Sequence, residues 1–328
     1  WVPGSYLNIL PNYDLGWETS TMLDIGVDFN LFNNRLIGAY DWYRKKTDGI
    51  LLDLPVSGVI GIPVSVQNAG VMASWGHELQ LTWRDKVNEF NYGVTLSFSD
   101  QMNEVLDLKG TGPHIYDRTV IAEGKPLNTL YGYKCLGFFT SEEEIQNSPK
   151  PEGYASQIKV GDLKYADLNN DKRIDSEDFK AIGYTDVPEC TLGLHAGLTY
   201  KGFDFDVLFQ GALNRSVYWS GSYFEAFRND GQISSIALNR WTEDTKSIAT
   251  YPRLSASNNL NNYQSSSFWQ KNGDFLKLRS LEIGYTIPKN LTRKIKIEGV
   301  RVFMNGTNLF SLDHMDGFTD PEIMTGYP

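Results

Sequence analysis

From Leu23 to Leu31 the odd positions read Leu23, Ile25, Val27, Phe29 and Leu31, and the positions between them read Asp24, Gly26, Asp28 and Asn30. A β-strand sends successive side chains to opposite faces, so this stretch has one apolar and one polar face and does not fit a helix. The pattern recurs. Leu79, Leu81 and Trp83 alternate with Glu78, Gln80, Thr82 and Arg84. Phe90, Tyr92, Val94, Leu96 and Phe98 alternate with Asn91, Gly93, Thr95 and Ser97. Leu192, Leu194, Ala196, Leu198 and Tyr200 alternate with Gly193, His195, Gly197 and Thr199, and Phe203, Phe205, Val207 and Phe209 with Asp204, Asp206 and Gln210. Weaker versions run through 36–44, 275–287 and 300–310, and in 275–287 the phase slips near Arg279 and Ser280, which predicts a β-bulge. Shorter strands are expected at 49–54 and 130–139.

The count is about eight long strands, most near the ~9–11 residues that a tilted strand needs to cross a bilayer. Strands in soluble proteins average about 5–6. The connections alternate as well. Asn33-Asn34, 86–88, Lys201-Gly202 and 288–298 close short turns, while 47–75, 100–191, 214–272 and the chain from Ser311 onward are long. Tight turns at one rim and long loops at the other are the plan of an outer-membrane barrel. Tyr40, Trp42, Tyr43, Trp83, Tyr200 and Phe203 stand near strand ends, where interfacial girdles are expected. The expected fold is therefore all-β, an antiparallel transmembrane β-barrel wall with long extracellular loops. Alternating strands also build soluble sandwiches, so a soluble β-sandwich stays open as the alternative.

Composition narrows the partners. The net charge of −10 removes the basic face that nucleic acid requires. No apolar run reaches the ~18 residues of a membrane helix. Cys135 and Cys190 form no metal or redox motif; free, buried thiols are expected, with a pairing between them left open. The chain begins at Trp1 without Met and ends in the loop-like Gly326, Tyr327 and Pro328, so a piece of a longer protein is expected.

Six strings, in order, resemble the C-terminal barrel of the SusC/RagA-like TonB-dependent outer-membrane receptors. Pro11-Asn12-Tyr13-Asp14-Leu15-Gly16-Trp17-Glu18 is similar to "NPDLKWE". Phe32-Asn33-Asn34-Arg35-Leu36 followed by Asp41-Trp42-Tyr43 is similar to "FNNRL…DYY", and 161–169 to "GDIKYKDIN". Leu238-Asn239-Arg240-Trp241-Thr242 is similar to "LNRWT", 275–288 to "FLRLKNVTLGYTLP", and Asn305-Gly306-Thr307-Asn308-Leu309 to "SGQNL". Where the family usually reads "NKGIEL", this chain has Ser74-Trp75-Gly76-His77-Glu78-Leu79. The resemblance implies a barrel of about 22 strands, of which 1–328 would be roughly the last third. A plug domain, a TonB-contacting segment and a final strand would lie elsewhere. It implies import of an oligosaccharide or peptide, energised by TonB, with a SusD-like surface lipoprotein as partner and outer-membrane lipid as surroundings.

One stretch has metal spacing. Asp167, Asn169, Asp171, Asp175 and Asp178 occupy positions 1, 3, 5, 9 and 12 of an EF-hand-like loop, with the Arg173 carbonyl at position 7 and Ile174 as the apolar pin. Ca2+ is expected there, as a staple of the loop 100–191. Lys172 stands where the turn glycine is usual, and Asp178 is shorter than the usual glutamate; an acidic turn closed by its own hydrogen bonds is the alternative. The loop 214–272 is rich in aromatic and amide side chains, and Trp219, Tyr223, Trp241 and Trp269 are its candidate substrate-binding rings. Packing of the loop is the competing role for each. His77, His114, His195 and His314 stand beside no plausible nucleophile, Glu142–Glu144 suits a solvated helix, and Asp204 and Asp206 suit a wet lumen. No hydrolase, phosphate-loop or metalloprotease motif is present, so a non-enzyme is expected. If the sandwich alternative held, this would be a calcium-stapled binding module that needs no detergent.

Overall fold

The computed structural model describes residues 9–52, 59, 61–63, 65–151, 153–228, 231–256 and 259–323. Leu54, Gly326, Tyr327 and Pro328 lie outside them. The long strands are β1 (Thr19–Leu31), β2 (Leu36–Leu52), β3 (Gln67–Val87), β4 (Phe90–Asp107), β5 (Cys190–Tyr200), β6 (Phe203–Leu213), β7 (Phe275–Thr286) and β8 (Arg301–Asp313). They form one sheet in chain order, every pair antiparallel.

Register explains the alternation. One row across all eight strands reads Val27, Tyr40, Leu79, Phe98, Leu192, Gly211, Leu276, Leu312. A neighbouring row on the other face reads Asp28, Ala39, Gln80, Ser97, Gly193, Gln210, Lys277, Ser311. A slip of one residue in any strand would put its apolar set on the polar face. Among the described residues the apolar face packs against no second layer: Leu23, Ile25, Val27, Leu96, Ile283, Val302 and Met304 are all exposed. So large an apolar sheet face is stable against lipid, not water.

Local chemistry closes the turns. Asn33 and Asn34 take left-handed backbone (φ 55 and 67), as do Lys201 and Gly202 (φ 48 and 88). Asn and Gly tolerate that region, and its twist matches a tight hairpin. The expected bulge is present: pairing shifts between Leu278 and Ser280. It turns Arg279 out of the ladder, where its guanidinium donates to Gln210 Oε1 (2.7 Å) and Asn308 Oδ1 (3.0 Å).

Several boundaries differ from the sequence expectation, among them the connection expected at 47–75, where β2 runs to Leu52 and β3 starts at Gln67. The strand expected at 49–54 is the end of β2, whose ladder with β3 reaches Leu52 opposite Gln67. β4 runs to Asp107, so the second long connection begins at 108 rather than 100. The strand expected at 130–139 is two, Thr129–Tyr133 and Cys135–Phe138. At ~3.3 Å per residue the 21 residues of β3 span about 70 Å, far beyond an apolar band of about 25 Å. Pairing continues above the membrane, where alternation loses its lipid partner and Ala69, Val71 and Ala73 become buried.

The water-excluding core lies in the loops. Connections 108–189 and 214–274 supply Tyr133, Leu163, Tyr165 and Ile174 to one cluster and Val217, Trp219, Phe224, Tyr251 and Trp269 to another. The two connections are joined by Asp162, which is fully buried. Its carboxylate accepts from Arg253 Nη2 (2.9 Å), Asn259 Nδ2 (2.9 Å), Asn262 Nδ2 (2.9 Å) and the Lys159 N–H (2.8 Å). Gly161 just before it has φ 89, and any side chain there would collide with the Trp241 ring. Both cysteines are free. Removing a buried carboxylate leaves its donors without acceptors, a cost of about 3–5 kcal/mol for a buried ion pair. Asp162→Ala in the full-length protein is expected to abolish hydrogen-exchange protection in 259–269 while the barrel's β circular dichroism persists. Unchanged protection would show that the loops do not depend on this joint.

Candidate functional site

The 214–274 connection folds back on the short pair Ser216–Tyr218 and Gln270–Asn272. That pair places Trp219 and Trp269 in the middle of the loop body, with Trp219 N–H donating to the Trp269 carbonyl (2.9 Å). Of the four candidate rings, Trp219, Trp241 and Trp269 are 3 %, 7 % and 1 % exposed, and Tyr223 is half-buried. Trp241 lies against Gly161, and Tyr223 meets Phe224 edge-on. Those two are packing groups in this structure rather than exposed faces. Trp219 and Trp269 also pack, yet both line a cavity of about 410 Å³ together with Phe268, Lys271, Asn239, Thr250 and Asp316. Burial pushes the Tyr263 phenol up to about 12, so it stays a donor at neutral pH; its hydroxyl donates to the Ala226 carbonyl.

A second concavity, about 1060 Å³, runs along the polar face of the sheet toward the tight turns. Asp204 and Asp206 line it, as expected of lumen groups. Each has a cross-strand partner: Asp206 Oδ2 is 2.6 Å from His195 Nε2, and Arg301 donates to Asp204 and to Glu282 (2.6 Å). Carboxylates engaged in this way form a charged, wet wall rather than a free acid–base pair.

Near the loop ends of β6 and β7 three cations hold the segment after β8. Buried Arg215 donates to the carbonyls of Pro321 (2.6 Å), Ile323 (3.4 Å) and Asp186 (3.1 Å). Lys277 Nζ donates to Asp320 (2.6 Å) and Glu322 (2.7 Å), and Arg279 also reaches Glu322. Sequence reading missed this clamp; its acidic half follows β8, Lys277 and Arg279 precede it by some forty residues and Arg215 by more than a hundred, with no local pattern to join them.

The acidic loop is drawn together by hydrogen bonds of its own. Lys172 N–H donates to Asp167 Oδ2 (2.8 Å), Arg173 N–H to Asp171 Oδ1 (2.8 Å) and Asp171 N–H to Asn169 Oδ1 (3.1 Å). Asp178 is fully buried; it accepts from Leu168 N–H (2.6 Å) and Asp175 N–H (3.1 Å), and Asp175 caps the following turn through Glu177 N–H (2.8 Å). Lys172 takes the left-handed turn itself, at φ 69. Among the described residues no group of three or more His, Cys, Asp or Glu side chains converges as metal ligands.

A lipid-facing meander with tight turns at one rim, a charged inner wall and a folded loop layer at the other defines a piece of an outer-membrane β-barrel. Residues 2–309 match the family model described as TonB dependent receptor-like, beta-barrel, and the chain belongs to that family. TonB-dependent receptor P26 of Formosa agariphila is 30 % identical over 91 % of this chain and 30 % of its own length. TonB-dependent receptor P3 of the same organism is 28 % identical over 98 % and 32 %. TonB-dependent receptor SusC of Bacteroides thetaiotaomicron is 26 % identical over 96 % and 30 %. Among solved structures, the RagAB peptide importer in its "closed-closed" state shares the fold with TM-score 0.73 and 25 % identity, over 96 % of this chain and 34 % of that one. The chain thus spans about a third of the length of the relatives it matches. As a member of this family it is an outer-membrane protein.

Two outcomes test the site's architecture. Burial raises Asp320 and Glu322, but hydrogen bonds from Lys277 and Arg279 outweigh it and hold both below the usual carboxylate range. Their contribution is therefore complete above the unfolded values of about 4 and is lost as pH falls through the lower folded ones. Protease cleavage within 314–323 is expected to stay slow at neutral pH and to rise only under strong acid; a rise already near pH 6 would refute the clamp. Trp269→Ala removes a ring that packs the loop body and is expected to destabilise it by about 3–5 kcal/mol, read as earlier melting of the loop layer. Unchanged melting would return Trp269 to a purely ligand-facing role.

Proposed function

We propose that the full-length protein imports a large nutrient, an oligosaccharide or a peptide, across the outer membrane in a TonB-dependent step, with a SusD-like surface lipoprotein as partner. The observation that carries this reading is the pairing of an unpartnered apolar outer face with a charged inner wall beneath a folded extracellular layer. Lipid contact explains the first, and passage of a hydrated cargo the second. The family match supports the TonB coupling. The relative named SusC and the structures titled as the RagAB peptide transporter and importer support the substrate class and the two-component assembly. Residues 1–328 take the place of the C-terminal part of a barrel of about 22 strands, with the plug outside this chain. The loop regions 108–189 and 214–274 form the outer cavity wall. The protein acts as a transporter rather than an enzyme.

The test is energised uptake in the native organism. Extraction of the full-length protein only by detergent, together with a lipoprotein, and loss of growth on its nutrient when TonB is deleted are the expected results. Growth that persists without TonB would overturn the coupling.

We also propose Ca2+ at Asp167, Asn169, Asp171, the Arg173 carbonyl, Asp175 and Asp178. Asp167 Oδ1 is buried with no hydrogen-bond partner, an acceptor that a hard cation would satisfy. Calcium is expected to raise the melting temperature of the full-length protein and a chelator to lower it, with Asp167→Asn insensitive to both. Equal melting with calcium and chelator would leave the loop closed by its own hydrogen bonds alone.

A further inference from the structure

The 410 Å³ cavity in the loop body holds a cation that, among the described residues, has aromatic neighbours but no oxygen partner. Lys271 Nζ stands 4.6 Å from the Trp219 ring centroid and 5.5 Å from that of Phe268. Among the described residues no carboxylate or carbonyl lies within hydrogen-bond or ion-pair reach of it. Burial pushes its ammonium below the usual lysine range, with the charge of Asp316 opposing. The other cations near the loop ends contrast with it: Arg215, Lys277, Arg253 and Arg228 each have oxygen partners. The indole N–H of Trp219 is likewise buried without a partner. The cavity floor is aromatic, from Trp219 and Trp269, and its rim is polar and exposed, from Asn239, Thr250 and Asp316. An apolar pocket of a few hundred Å³ with a small number of converging donors is the usual form of a small-molecule site.

We propose that this cavity binds a carboxylate at the end of the imported nutrient, with Lys271 as the charge partner. The proposal rests on the import reading and refines it to an acidic cargo. A partly desolvated ammonium flanked by ring faces gains most from an anion, because the ion pair forms where water screens it least. Asp316 shares the cavity and weakens the pull on that anion, so it sets the strength of selection for charge. The carboxylate can come from a peptide C-terminus or from a uronic acid, and the probes separate the two.

Binding to the full-length protein in detergent is measured by calorimetry with trialanine and its C-terminal amide, and with digalacturonate and its methyl ester. In the wild type the free acid of one pair is expected to bind about tenfold more tightly than its neutral form, the size of a charge-assisted hydrogen bond. Which pair shows the difference identifies the source. Lys271→Met is expected to erase the difference, Lys271→Arg to keep it, and Asp316→Asn, on the exposed rim, to enlarge it. Equal binding of acid and neutral forms by the wild type, a difference that survives in Lys271→Met, or no binding of either acid at millimolar concentration would overturn the site. Failure of the import reading looks different: the acid binds with this selectivity in detergent, yet cells take up nothing in a TonB-dependent way.

Discussion

Everything in this chain depends on the rule that backbone N–H and C=O groups have no water to bond in hydrocarbon. A strand that crosses a bilayer must therefore give every one of its hydrogen bonds to neighbouring strands. Apart from its bulges, the ladder does this for β2 to β7, each paired on both sides, and it fixes the register in which one face is apolar and the other polar. The apolar rows are consequences of that ladder rather than a core of their own. Their side chains are exposed because lipid, not protein, completes their packing. Residues that would be anomalies in a soluble sheet, such as Met304 and Val302 at 72 % and 62 % exposure, are in place on such a wall.

Above the bilayer the constraint reverses. The loops meet water on their outside and need a conventional core, and they build it from aromatic rings around a buried carboxylate. Asp162 accepts from two asparagines, one arginine and one backbone amide, so that a charge which would be costly alone becomes the joint between two connections nearly a hundred residues apart. Backbone hydrogen bonds also join the two connections: Tyr133 donates to the Ser265 carbonyl and accepts from Ser267, and Arg253 donates to Gly161. The loop layer is thus a small domain assembled from two insertions, held on a barrel rim whose strands add Leu52 and Val105 to an apolar cluster with Leu108, Ile121 and Leu127.

The sheet was legible in the sequence because its period is local. Two residues suffice to show a face, and Lys201-Gly202 or Asn33-Asn34 suffice to show a turn, so strand order and bulge followed from reading along the chain. Strand ends were less legible. Beyond Arg44 and Phe98 the alternation fades as the sheet leaves the membrane, although the ladder goes on to Leu52 and Asp107. The loop layer was the least legible part. Nothing near Asp162 announces Asn259 or Arg253, and nothing near Lys277 announces Asp320. An aromatic ring in a loop also reads the same whether it faces a ligand or a neighbour; Trp241 and Trp219 look alike in sequence and differ only in what surrounds them.

That difference has a physical measure, which is whether polar groups are satisfied. On the inner wall His195, Asp206, Asp204, Glu282 and Arg301 are matched with each other, and so are the cations that hold the segment after β8. Matched charges keep a wall hydrated and rigid, and they offer little to a passing ligand beyond a polar surface, because binding would have to break pairs already made. Affinity and selectivity then fall to whatever groups the fold leaves unmatched in a sheltered place. In this chain the described residues leave one ammonium in that position, over the face of Trp219, in the loop layer that the ladder carries.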